Sequence, residues 1–112
     1  MKKDNKIFIA GGAGMVGSSL VRAFKKKGFK KIFAPTRNEL DYFNKQKTRK
    51  YIKNIQPDLI IICAATVGGV LANSTDRFNF IYHNLEIQNN LISSAHFENV
   101  QNLIFLGSSC VY

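Results

Sequence analysis

Ile7-Phe8-Ile9-Ala10-Gly11-Gly12-Ala13-Gly14-Met15-Val16-Gly17 runs from an uninterrupted apolar tetrapeptide into glycines spaced at 11, 14 and 17. The apolar run reads as a buried strand that ends in a turn. Beyond it, Val16, Leu20, Ala23 and Phe24 recur at helical spacing between Met15 and Lys27, and Gly28 stops the helix. Glycines between a strand and a helix serve a purpose at each position. Gly11 permits the tight turn, Gly14 lets a pyrophosphate approach the backbone, and Gly17 lets the helix pack closely on the strand. The unpaired N–H groups at the helix start then hold the phosphates. The expected cradle comprises Gly11, Gly12, Ala13, Gly14, Met15, Val16 and Gly17.

Strand and helix patterns alternate through the rest of the chain. Lys31-Ile32-Phe33-Ala34 reads as a second strand closed by Pro35, and Thr48 to Gln56 as a short helix with Tyr51, Ile52 and Ile55 on one face. Leu59-Ile60-Ile61-Ile62-Cys63 is continuously apolar, as in a parallel strand covered on both faces. A long helix is expected from about Thr75 to Phe97, with Phe78, Ile81, Tyr82, Leu85, Ile92 and Ala95 on one side. Asn102 to Leu106 forms a fourth strand. The pattern predicts an α/β fold, a Rossmann-type doubly wound parallel sheet ending after about four strands.

Ligands on such sheets sit beyond the carboxyl ends of the strands, which selects four loops. After the second strand, NAD binders carry an acid about 20 residues past the glycines to hold the ribose 2′-hydroxyl. Arg37 stands there instead, in Pro35-Thr36-Arg37-Asn38. A guanidinium forks onto a 2′-phosphate that a carboxylate would repel, so the expected cofactor is NADP(H). After the third strand, the small Ala64 and Ala65 let the chain pass close to a nicotinamide ribose. After the fourth, Ser108 is a candidate hydrogen-bond donor to a substrate oxygen. Cys110 is a candidate proton-transfer group, although a free cysteine also serves as a small apolar residue.

With 112 residues, 46% of them hydrophobic, the chain suffices for one domain with a real core. No apolar run approaches the roughly 18 residues of a membrane span. The first ten residues are too short an apolar stretch for a signal peptide. Two cysteines make no disulfide framework, and the chain reads as cytoplasmic. The net charge of +9 is spread over separated lysines rather than one stripe, so neither nucleic acid nor membrane is an expected partner. Lys25, Lys26 and Lys27 suit the negative end of a helix dipole. No metal site is expected.

Several longer stretches carry a resemblance. Phe8-Ile9-Ala10-Gly11 with Gly14-Met15-Val16-Gly17-Ser18, and Thr36-Arg37-Asn38-Glu39-Leu40-Asp41, are followed by Ala64-Ala65-Thr66-Val67-Gly68-Gly69-Val70-Leu71-Ala72-Asn73. Phe80-Ile81-Tyr82-His83-Asn84 and Phe105-Leu106-Gly107-Ser108-Ser109-Cys110-Val111-Tyr112 complete the set. The three-residue glycine spacing resembles the extended branch of the short-chain dehydrogenase/reductase superfamily. The Val-Gly-Gly-x-x-Ala-Asn and Leu-Gly-Ser-Ser-Cys-x-Tyr pieces resemble the GDP-L-fucose synthase family within it. That resemblance implies a GDP-sugar substrate, GDP-4-keto-6-deoxy-D-mannose, epimerised at C3 and C5 and then reduced at C4 with NADPH. It implies that Ser108 polarises the ketone and Cys110 exchanges protons during epimerisation. It places Arg37, Asn38, Glu39, Leu40, Asp41 and Tyr42 around the adenosine 2′-phosphate and adenine. Leu106, Gly107, Ser108 and Ser109 fall on the nicotinamide side. A homodimer of the full-length protein is a further expectation.

Two departures qualify the resemblance. Thr66 stands where the family usually has lysine. The family's Tyr-x-x-x-Lys pair, whose tyrosine donates the proton, has no counterpart: Gln46, Ile55 and Glu86 stand four residues after Tyr42, Tyr51 and Tyr82, and the sequence ends at Tyr112. His83 and His96 match no catalytic position. Residues 1–112 are thus expected to be the incomplete cofactor-binding domain of an enzyme, without its substrate domain and inactive alone. A non-catalytic dinucleotide-binding module and another extended-branch sugar-nucleotide epimerase or dehydratase stand as alternatives.

Overall fold

Each residue of β1 (Ile7–Ala10) is buried, and the pleat divides them between two cores. Ile7 and Ile9 join Leu59 and Ile61 on one face, where Leu20, Val21 and Phe24 of α1 (Met15–Lys26) pack. Phe8 and Ala10 join Ile60 and Ile62 on the other, under α2 (Lys45–Ile55) and α3 (Ser74–Phe97). This two-sided burial is the physical reason for the unbroken apolar runs in β1 and β3 (Leu59–Ile62). The computed structural model describes residues 2–63 and 74–106, the side chains of 74–77 and 80 excepted.

With β2 (Ile32–Phe33) and β4 (Asn102–Phe105), the strands form one sheet in the order β2-β1-β3-β4. All three pairings are parallel, with Ile7 opposite Ile32 and Leu59, and Ile60 opposite Leu103. The chain steps from β1 to β2 on one side, then crosses back to β3 on the other. The switch in direction lies between β1 and β3, where such sheets open a crevice at their carboxyl ends. The expected doubly wound α/β sheet is therefore present. A clip at the opposite edge holds the same two strands: the Lys6 N–H donates to Asp58 Oδ2 at 2.7 Å, and the Asp58 N–H donates to the Lys6 carbonyl at 2.8 Å.

Element ends show local causes. Gly28, at φ 96°, follows the α1 cap residue Lys27, as the sequence predicts. Helix α2 begins three residues earlier than the expected Thr48, because the Asn44 side chain caps it by accepting the Lys47 N–H at 3.0 Å. Its first turn, Lys45-Gln46-Lys47, carries no apolar residue and so gives no periodic signal. Strand β2 pairs over two residues rather than the expected four, and β3 and β4 each stop one residue short of expectation.

One expected face is wrong. Among the described side chains of α3, Ile87, Leu91, Ser94 and Ala95 are buried, whereas Phe78, Ile81, Tyr82, Leu85 and Ile92 are exposed; only Ala95 of the expected set is buried. Apolar residues occur around most of this helix, so periodicity does not choose a face; contact with α2 and the sheet does. In α1, Val16 and Ala23 are exposed and Leu20, Val21 and Phe24 face the sheet. Strand β4 ends the described sheet, with Ile104, Phe105 and the following Leu106 exposed.

Candidate functional site

The turn after β1 is built by glycines packed on one another. Gly11 adopts φ 90°, a conformation that favours glycine, and its carbonyl accepts the Gly14 N–H at 3.1 Å. Gly17, buried in the first turn of α1, lies so close behind that carbonyl that a side chain there would overlap the oxygen and meet Gly12 Cα at 2.8 Å. At Gly12 a Cβ would come within 2.6 Å of the Ala34 Cβ, so the absent side chain brings the first turn against the end of β2. Gly14 is different. A Cβ there would meet only the Gly11 oxygen, at an ordinary 3.5 Å.

Gly14 is also the α1 cap residue, with no side-chain hydrogen bond to the first turn. The Met15, Val16 and Gly17 amides therefore begin a helix that no side chain caps, and Met15 and Val16 are exposed. An uncapped helix start beside small residues fits a phosphate, which satisfies the amides and meets the positive end of the dipole.

The loop after β2 is held by a reciprocal pair. The Thr36 N–H donates to Glu39 Oε1 at 2.9 Å, and the Glu39 N–H donates to Thr36 Oγ1 at 3.3 Å. The Thr36 backbone and hydroxyl keep the Glu39 carboxyl below its ordinary pKa. Thr-x-x-Glu is a capping-box spacing, so this brace was readable in the sequence. It presents Arg37 and Asn38 as exposed residues at the loop tip, on the same sheet edge as the glycine turn. The one ion pair among the described residues is Arg49 with Glu98, so no described carboxylate neutralises Arg37.

Of the neighbours expected around an adenosine, Leu40 and Tyr42 are core residues and Asp41 is exposed. The Asp41 carboxylate accepts the Phe43 N–H at 3.0 Å, and Asn90 of α3 donates to the Tyr42 carbonyl at 2.8 Å. The Tyr42 hydroxyl is buried beside the Gly11 amide without a hydrogen bond of ordinary geometry. Burial raises its pKa strongly. Nothing in the residue pattern foretold this placement. Cys63 follows β3, its N–H donating to the Ala10 carbonyl at 2.8 Å, and burial pushes the pKa of its thiol up. Leu106 is exposed, its N–H donating to the Ile62 carbonyl at 3.2 Å. Ala64, Ala65, Thr66, Gly107, Ser108, Ser109 and Cys110 lie outside the described residues.

Comparisons with known proteins agree with the fold. A family model described as the NAD dependent epimerase/dehydratase family matches residues 7–112. GDP-L-fucose synthase 1 of Arabidopsis thaliana is 43% identical over 98% of the chain and 34% of its own length. GDP-L-fucose synthase of Escherichia coli K12 is 39% identical over 96% of the chain and 33% of its own. Among solved structures, the GDP-mannoheptose C4 reductase of Campylobacter jejuni with NADP bound superposes with a TM-score of 0.88. It is 40% identical, covering 96% of this chain and 34% of that one. The chain thus spans about a third of the length of the curated relatives it matches. Among the described residues no helix is long and apolar enough to cross a membrane.

Proposed function

The chain belongs to the NAD dependent epimerase/dehydratase family, and we propose that it is the NADP(H)-binding part of an epimerase/reductase acting on a GDP-linked 4-keto-6-deoxy sugar. One observation carries the cofactor reading. The uncapped start of α1, with Gly17 seated on the Gly11 carbonyl, shares a sheet edge with Arg37, which stands where NAD binders carry an acid. The amides of Met15 to Gly17 hold the diphosphate and the Arg37 guanidinium holds the 2′-phosphate. The relative solved with NADP, at 40% identity, supports the choice of dinucleotide. When bound, NADPH supplies the hydride that reduces the sugar ketone.

The GDP-L-fucose synthases of Arabidopsis and Escherichia coli support GDP-4-keto-6-deoxy-D-mannose as substrate, converted to GDP-L-fucose. Ser108 then donates a hydrogen bond to the C4 oxygen, and Cys110 moves protons at the epimerised carbons. A second reading follows from the GDP-mannoheptose reductase: the same GDP recognition with a seven-carbon sugar. A longer polypeptide carrying this chain should oxidise NADPH with GDP-4-keto-6-deoxy-D-mannose. Oxidation only with a GDP-4-keto-heptose would select the second reading, and oxidation with neither would remove both.

A further inference from the structure

Tyr42 is held from several sides, yet nothing among the described residues pairs with its hydroxyl. Asn90 donates to its carbonyl at 2.8 Å, and the Asn44 N–H donates to the preceding Asp41 carbonyl at 3.0 Å. Its ring lies edge-on to Phe8 at 6.5 Å, and Phe8 lies edge-on to Tyr51 at 5.3 Å. The residue is 7% exposed, and its hydroxyl has no hydrogen-bond partner among the described residues. A phenylalanine would make the same ring contacts. The hydroxyl is what needs explaining, because a buried polar group without a partner is costly. The Gly11 amide lies beside it, with the Cys63 thiol and the Tyr51 hydroxyl also in its surroundings. The carbonyl of Gly11 is already engaged by the Gly14 N–H and backed by Gly17. Tyr42 therefore bears on the remaining polar side of the first glycine of the turn.

We propose that Tyr42 is a positioning residue whose hydroxyl accepts the Gly11 N–H when a dinucleotide diphosphate seats on the turn, coupling the loop after β2 to the loop after β1. The proposal rests on the dinucleotide reading above. Seating the diphosphate draws the first-turn amides toward it, and the Gly11 peptide closes onto a hydroxyl that the core keeps in place. The effect acts on the diphosphate and is indifferent to the 2′-phosphate that Arg37 addresses.

The test compares the unaltered chain with Tyr42→Phe, which preserves the ring packing, and with Tyr42→Leu. Affinities are measured for NADPH, NADH and adenosine 2′,5′-bisphosphate, which lacks the diphosphate bridge. Loss of one hydrogen bond should weaken NADPH and NADH by the same factor, about 3- to 10-fold, in both variants. The bisphosphate should bind unchanged, and NADPH should slow Gly11 amide hydrogen exchange less in Tyr42→Phe than in the unaltered chain. Unchanged NADPH affinity in Tyr42→Phe overturns the proposal, as does equal weakening of the bisphosphate, the mark of a merely structural role. If the unaltered chain binds no NADPH, the functional reading itself falls and takes this proposal with it.

Discussion

Gly17 backs directly onto the carbonyl of Gly11, so that a methyl group at 17 would occupy the space of that oxygen and crowd Gly12 Cα as well. The obstruction is backbone, which cannot swing aside as a side chain can. Gly17→Ala should therefore destabilise the chain by about 1–3 kcal/mol or more and abolish dinucleotide binding with it. Gly14→Ala meets only an ordinary contact in a conformation open to alanine. It should melt close to the unaltered chain while losing NADPH affinity, because its methyl occupies the approach of the diphosphate. Thermal melts paired with NADPH titrations separate these outcomes. Equal melting temperatures for the two variants would contradict the packing argument.

Arg37 is exposed and has no described carboxylate partner, so its removal should cost little stability. A charge-assisted pair with a 2′-phosphate is worth about 1.5–3 kcal/mol. Arg37→Ala should thus weaken NADPH roughly 10- to 100-fold and leave NADH unchanged. Equal affinities for both cofactors in the unaltered chain, unmoved by the substitution, would refute the assignment.

The clip at the amino ends of β1 and β3 makes stability depend on pH. The Lys6 N–H, then the Asn5 side chain, hold the Asp58 carboxyl below its ordinary pKa, with smaller help from the Lys6 and Lys31 charges. A depressed folded-state pKa contributes stability that is present above the unfolded value of about 3.9 and lost as pH falls through the folded value. Asp58→Asn should lower the melting temperature at neutral pH, with the difference from the unaltered chain shrinking below about pH 4. A constant difference across that range would exclude the charge as its source.

The contrast along α3 can be tested by truncation. Leu91 is fully buried and Phe78 is 65% exposed. Leu91→Ala should cost about 2–5 kcal/mol by leaving a cavity. Phe78→Ala should change stability by no more than about 0.5 kcal/mol. Urea unfolding of both variants checks the pair, and similar losses would mean that the face is misassigned.

Residues 1–112 carry no Tyr-x-x-x-Lys pair to protonate the reduced sugar. A positioned acid contributes about 100- to 10,000-fold, so the chain by itself should bind NADPH without measurable oxidation of it in the presence of a GDP-4-keto sugar. Turnover by the purified chain would place the proton donor among residues already present.

The glycine turn and the order of elements were legible because each rests on local chemistry. Gly28 marks the end of α1 as expected, and β1 and β3 announce their two-sided burial by unbroken apolarity. The early start of α2 went unread although Asn44 stands at its head, because three polar residues separate that cap from the first buried position, Thr48. At the site, Arg37 stood out by its place after β2. The Thr36–Glu39 brace that presents it was visible only as a spacing.

The amino-acid sequence alone determined that the chain folds as a parallel α/β sheet with a tight glycine turn after its first strand. Period, glycine placement and capping act over a few residues and need no distant partner. Tertiary structure alone decided which side of α3 is buried, that Gly12 presses on Ala34, and that the Tyr42 hydroxyl is buried beside the Gly11 amide. A helix apolar around most of its surface offers several faces, and a side chain's burial depends on what the crossovers bring against it. Those contacts join residues far apart in the chain, and no local pattern encodes them.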